Sequence, residues 1–273
     1  MARVKYHKSE VHEGNYKTYI KFAEATGLPY LLTLTNYTVT ITSEFLNAKF
    51  APNMDQSAFI CYQLIKRDIK ETGLIKPDLI SKNLQYFNFG PDSRIQYPPN
   101  EIYNIDIKSA YATVLLRHGL IKQSTFNRMA RLSKRNRLAC VGMLAAKKKH
   151  FSMVGRQTIS ATTEEKDTTE WFYFCINRID EIMMKCRQIA GNTFLFFWVD
   201  GIFLNDIKHV KAISEYLQSI GYKYSFDICT NVQYKEDKNI KTLSYDKGEE
   251  SKQLFLPKSN SELSEFLINF LSL

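Results

Sequence analysis

Two kinds of hydrophobic pattern alternate along this chain. Short runs rich in β-branched and aromatic residues predict strands: "YLLTLTNYTVTIT" over 30–42, "IYNID" ending at Asp106, and "YKYSFDICTNV" after Gly221. Between them, apolar residues recur at helical spacing. "QSAFICYQLIKRDIKETG" (56–73) predicts a helix stopped by Gly73, and the residues after Asp106 predict one that ends at Gly119. In "TEWFYFCINRIDEIMMKCRQIAGN", Phe172, Cys175, Ile179, Met183, Cys186 and Ile189 fall at steps of three or four, giving an amphipathic helix closed by Gly191. "FLFFWVDGIFLND" (194–206) reads as strand, turn and strand, with Asp200 at the apex and Gly201 supplying the turn. A helix over about 206–219 follows. Residues 126–149 are helical in composition and basic on several faces, and "NFGPDSRIQYPPNE" (88–101) marks a boundary loop.

The order over 101–232 is therefore β-α-α-α-ββ-α-β. This is an α+β pattern, whose natural solution is an antiparallel sheet backed by helices. Three parts are expected: a smaller N-terminal α+β region (1–95), the sheet-and-helix domain (96–250), and a tail or short helix (251–273). The chain has 273 residues, 44% apolar and 24% charged, as in soluble globular proteins. No apolar run approaches the ~20 residues of a bilayer span, so no membrane partner is expected. "MARVKYHKSE" carries no apolar stretch behind its charges and so shows no secretory signal. The five cysteines (61, 140, 175, 186, 229) lack zinc spacing and read as reduced, buried thiols, which points to the cytoplasm.

Charge changes the picture. The net charge is +9, and the 57 positions between Asp106 and Glu164 hold twelve Lys or Arg and no acidic residue. So local an asymmetry suggests a polyanionic partner, nucleic acid first. Candidate contacts are Arg128, Arg131, Arg135, Arg137, Lys147, Lys148 and Lys149; a solvated basic face is the plainer alternative. Asp106 and Asp200 each end an apolar strand. On neighbouring strands their carboxylates would approach within several ångströms and repel one another unless cations sat between them. Mg²⁺ or Mn²⁺ is the natural cofactor, because these ions prefer carboxylate and phosphate oxygens. Two such ions would suit phosphoryl transfer. For Asp200 alone, a turn aspartate capping its own hairpin would be the better reading.

"DIKSAY" (106–111) resembles the first palm motif of family B DNA polymerases, Asp-x-x-Ser-x-Tyr-Pro, and "VDGIF" resembles their third. "KRNRLACVG" (134–142) has the lysine-to-glycine spacing of the second motif in the protein-primed phage branch. The resemblance spans about 95–250 and implies a polymerase-type palm. Asp106 and Asp200 would ligate two metal ions as the catalytic pair, and Lys134 would contact the incoming dNTP. Tyr111 would lie under its sugar, Ile107, Ser109 and Ala110 would face the triphosphate, and Gly142 would admit the nascent base pair. Lys241 and Tyr245 would grip the primer. The chain departs from the pattern at Ala112, Leu138, Ala139 and Val141, and Trp198 stands where the third motif has a further aspartate. Only 22 residues separate Tyr111 from Lys134, so the fingers would be very short. No exonuclease motif or full thumb is visible, and a protein partner could supply the missing functions. The resemblance implies a nucleotidyltransferase that adds dNMP to a 3′ hydroxyl. The alternatives are a catalytically degenerate nucleic-acid-binding or assembly subunit, and a reverse-transcriptase-like palm, whose first motif "NIDIKSAYATV" also resembles.

Overall fold

A computed structural model describes residues 15–35, 38–50, 56–73, 87–89, 95–237 and 240–256. It is an α+β structure with two antiparallel sheets. Among the described residues no helix is long and apolar enough to cross a membrane. The chain divides into two compact units: residues 1–77 with 119–172 and 269–273, and residues 78–118 with 173–268. The cuts along the chain fall after residues 77, 118, 172 and 268. The basic segment after Gly119 belongs to the first unit rather than to the strand that ends at Asp106.

In the first unit, β1 (Pro29–Leu34) and β2 (Val39–Ser43) replace the single strand expected over 30–42. With β3 (Asn47–Phe50), β6 (Lys148–Val154) and β7 (Gln157–Glu164) they form a sheet ordered β3-β2-β1-β6-β7. The hairpin β6–β7 falls where the sequence pattern predicted the end of a basic helix and no strand. One sheet face is apolar: Tyr30, Val39, Ile41, Ala48 and Phe50 pack with α1 (Tyr16–Thr26) through Tyr19, Ile20 and Ala23. α1 is capped by the Asn15 side chain and ends at Gly27, whose φ of 65° is the left-handed conformation that glycine adopts without strain.

α2 (Gln56–Glu71), α4 (Gln123–Ala130) and α5 (Lys134–Gly142) complete the unit. Asp68 on α2 is 1% exposed and accepts from the Thr125 hydroxyl (2.5 Å), the Lys122 amide (3.0 Å) and the Arg67 guanidinium (3.0 Å). Burial alone would raise its pKa, but these donors outweigh burial and hold the carboxyl below its ordinary value.

The second unit carries a seven-stranded sheet ordered β12-β11-β10-β5-β9-β8-β4. Its strands are β4 (Phe87–Phe89), β5 (Glu101–Ile107), β8 (Phe194–Trp198), β9 (Gly201–Leu204), β10 (Tyr224–Asp237), β11 (Ile240–Lys247) and β12 (Glu250–Leu256). β12 occupies the start of the expected tail, and residues 257–273 lie outside the described set. The helices are α3 (Ala110–Arg117), α6 (Thr169–Ala190) and α7 (Val210–Ser219); the division between units falls within α6. On one sheet face Ile102, Phe196, Phe203, Cys229, Leu243 and Tyr245 form a buried apolar cluster. Ile105, Ile107, Ile202 and Leu204 are buried on the other. All five cysteines are free and buried.

Candidate active site

The cluster face of β5 carries Ile102, Asn104 and, last, Asp106. Antiparallel pairing sets Asp106 opposite Gly201 on β9 and opposite Ser225 on β10. The turn between β8 and β9 is Val199–Asp200, so Gly201 begins a strand instead of making the turn expected of it. Its smallness serves a close approach: a Cβ there would stand 3.1 Å from Asp106 Oδ1 and 3.3 Å from Asn104 Nδ2. The Asp200 carbonyl accepts from the Ile107 amide (2.9 Å), which ties the turn to the end of β5. Asp106 and Asp200 thus occupy adjoining ends of central strands of the sheet, both half-buried.

Backbone strain collects here. Ser109 and Val199 have φ of 54°, and Asn231 is the one other non-glycine with positive φ among the described residues. A β-branched residue in the left-handed region is an outlier that costs about 1–2 kcal/mol. Such conformations persist where the surroundings over-determine them, and they cluster at active sites. One lies directly before Asp200 and the other three residues after Asp106.

Asp227 and Lys247 were not anticipated from the sequence. Asp227 pairs in register with Asn104, so it shares a sheet face with Asp106, and Lys247 Nζ lies 2.7 Å from its carboxylate. Burial by itself lowers the Lys247 pKa, yet the hydrogen bond and charge of Asp227, with the charge of Asp106 behind them, raise it above the ordinary lysine value. Lys247 is therefore a fixed cation beside the aspartates. Strand alternation from Tyr245 would have pointed to it. Lys241 is half-buried near the opposite end of β11. Tyr245, expected to touch a primer, is buried against Phe203 with ring centroids 5.7 Å apart, and burial pushes its hydroxyl pKa up. Its position is that of a core residue.

Of the remaining expected residues, Ile107 and Ala110 are buried, Ser109 is exposed as the residue before α3, and Tyr111 is half-buried on α3. Trp198 packs against the apolar cluster. Lys134 and Arg135 are exposed in the first turn of α5, which has no acidic residue. Cations at this positive helix end oppose the macrodipole, so they serve something other than helix stability. Gly142 closes α5, half-buried. Arg128 and Arg131 line a cavity of about 650 Å³ with Ser124, Asn127 and Leu132. Arg137 is occupied by backbone, donating to the carbonyls of Ala130 (3.4 Å) and Leu132 (3.0 Å). Lys147 faces Glu165 (3.9 Å) and Lys148 faces Glu164 (3.2 Å), while Lys149 is exposed. These three belong to the approach and start of β6, not to a helix.

Among the described residues no group of three or more His, Cys, Asp or Glu side chains is placed to hold a metal ion. The carboxylates at the β5 and β8–β9 ends number two, enough for an ion that takes its other ligands from water and phosphate. No protein-family model matches the chain, and no curated protein and no solved structure matches it.

Proposed function

We propose that this protein is a nucleotidyltransferase acting on nucleic acid, a minimal enzyme of the family B polymerase type that adds a deoxynucleotide to a 3′ hydroxyl. The observation that carries the reading is the juxtaposition of Asp106 and Asp200 at paired strand ends, held by the Ile107–Asp200 backbone bond and flanked by strain at Ser109 and Val199. Two half-buried carboxylates offer hard-oxygen donors that suit Mg²⁺ or Mn²⁺, and the missing side chain at Gly201 avoids a crowded contact with Asp106 Oδ1. Bound by Asp106 and Asp200, two such ions would activate the attacking hydroxyl and stabilise the leaving pyrophosphate. The chain's own residues have separate tasks. Lys247 offsets the charge of Asp227, so the net negative charge of the site rests with Asp106 and Asp200. Lys134, Arg128 and Arg131 supply exposed cations for phosphate.

The test is nucleotide incorporation by the purified chain with Mg²⁺ or Mn²⁺, labelled dNTPs and NTPs, and primed, unprimed and single-stranded substrates. Metal-dependent extension is expected, and Asp106→Asn or Asp200→Asn should reduce it by more than about 10²-fold with thermal unfolding little changed. Chelation with EDTA should abolish it. Undiminished extension by either variant overturns the assignment. Trp198, packed into the core where the resemblance has a further aspartate, favours one second reading, a nucleic-acid-binding subunit derived from such an enzyme. That reading predicts no extension, with salt-dependent binding unaffected by either substitution.

A further inference from the structure

The first unit holds a group of four lysines, of which Lys148 alone belongs to the expected set. Lys49 on β3 stands over the Phe59 ring, Nζ 5.0 Å from its centroid, and Lys166 stands over Tyr62 at 5.0 Å. Phe59, Tyr62 and Lys66 are spaced along one face of α2, so the two rings form a shelf one turn apart with a third ammonium beyond it. Lys166 Nζ is anchored by the Met143 carbonyl at 2.8 Å. Lys148 on β6 completes the group. In-register pairing sets Lys49, Thr40, Thr33 and His150 in one row across β3, β2, β1 and β6, on the sheet face opposite α1, with Lys148 one step along.

These charges lack balance. Glu164 engages Lys148 and His150. Among the described residues none of Lys49, Lys66 and Lys166 makes an ion pair. Burial, then the charges of Lys66 and Lys148, lower the Lys49 pKa. Burial, then Lys49, Lys66 and Lys148, bring Lys166 down to about 8. Ammonium groups gathered on a half-buried polar face repel one another in the free protein, and an anion bridging them removes that penalty. Compact ammonium groups with several donors each suit phosphate oxygens. The Thr40 hydroxyl on the same face offers a further donor, while that of Thr33 is engaged with His150 Nδ1 at 3.0 Å.

We propose that Lys49, Lys66, Lys148 and Lys166 form a phosphate-binding site that holds the backbone of a polynucleotide strand. The phosphate chemistry follows from the cluster alone; the choice of a polynucleotide over free phosphate rests on the nucleic-acid reading above. Binding is measured rather than catalysis, so the two can fail separately. A labelled single-stranded oligonucleotide is titrated against the full chain by fluorescence anisotropy over a range of salt, and inorganic tripolyphosphate is titrated in parallel. Lys49→Gln/Lys66→Gln should lower the magnitude of the log K against log salt slope by about 1.4, the value for two phosphate contacts on a single strand. The charge-retaining Lys49→Arg/Lys66→Arg should preserve the slope. Because Lys66 is exposed, Lys66→Gln alone leaves the fold intact and should lower the slope by about 0.7. An unchanged slope in both Gln variants overturns the site. A loss confined to tripolyphosphate, with oligonucleotide binding unaltered, overturns the polynucleotide assignment.

Discussion

The two units use carboxylates in opposite ways. In the first, Asp68 is buried, receives three donors and ties α2 to the start of α4. In the second, Asp106 and Asp200 are half-buried at the ends of apolar strands, next to strained turns. One arrangement converts a charge into stability. The other leaves charge within reach of solvent and accepts backbone strain to hold it there. The cations are divided too: the first unit has a lysine group with too few acids, whereas Lys247 in the second sits against Asp227. Asp68 is fixed by near-complete burial and three donors, whereas Asp106 and Asp200 keep part of their surface open to solvent.

Substitution of single residues puts this contrast at risk. The largest stability effect is expected for Asp68→Ala, which strands the Thr125 hydroxyl, the Lys122 amide and Arg67. It should cost about 3 kcal/mol in denaturant unfolding. Asp106→Asn should change stability by less than about 1 kcal/mol; an equal loss from both would erase the distinction. The same contrast has a pH signature. The folded Asp68 carboxyl is held below its ordinary value. Its contribution is therefore complete above pH ~4 and disappears as pH falls through the lowered folded value. Asp68→Asn should flatten that acid limb in a pH series of melting curves.

Next in size is Val199→Gly, which relieves a left-handed β-branched residue and should raise stability by about 0.5–1 kcal/mol. If the turn strain positions Asp200, incorporation should fall while melting temperature rises; a rise in both would show the strain to be incidental. The smallest effect belongs to Glu71→Gln. Glu71 pairs with Lys122 at 2.6 Å and with Arg67 at 3.5 Å, all three side chains about half exposed. Water screens such pairs, and a loss of about 0.5 kcal/mol or less is expected, on the same helix where Asp68 costs several times more.

Local periodicity made much of this legible. α2 and α6 follow from the spacing of Ile, Cys, Met and Phe, and β5, β8, β9 and β10 from their β-branched and aromatic runs. The adjoining ends of β5 and the β8–β9 turn were anticipated from two aspartates that each closed an apolar run. The hairpin β6–β7 was not, because every residue of β7 is exposed and no inward-outward alternation marks it. Its partner β1 is also remote: His150 meets Thr33 across 117 positions. Membership of 119–172 in the first unit depends on that pairing and on the bonds from α2 to Lys122, Thr125 and Cys140, which no local pattern carries. Apart from Lys148, the lysine group escaped notice for the same reason, since β3, α2, β6 and Lys166 come together only through contacts remote in sequence. Gly201 looked like a turn residue because glycine before an apolar run usually is one; here its missing side chain makes room for Asp106.

The β1–β6 pairing also has a consequence for biosynthesis. β1 leaves the ribosome early, and its second edge stays open until β6 has been made. At about 5–20 residues per second that interval is roughly 6–25 s for a nascent chain of this order. During it, a strand with Leu31, Leu32 and Leu34 presents unpaired amides and carbonyls beside the unfilled place of its partner. An edge of that kind is where chaperones or neighbouring nascent chains pair. Translation speed between the end of β1 and the end of β6 therefore bears on how much of the protein reaches its native sheet.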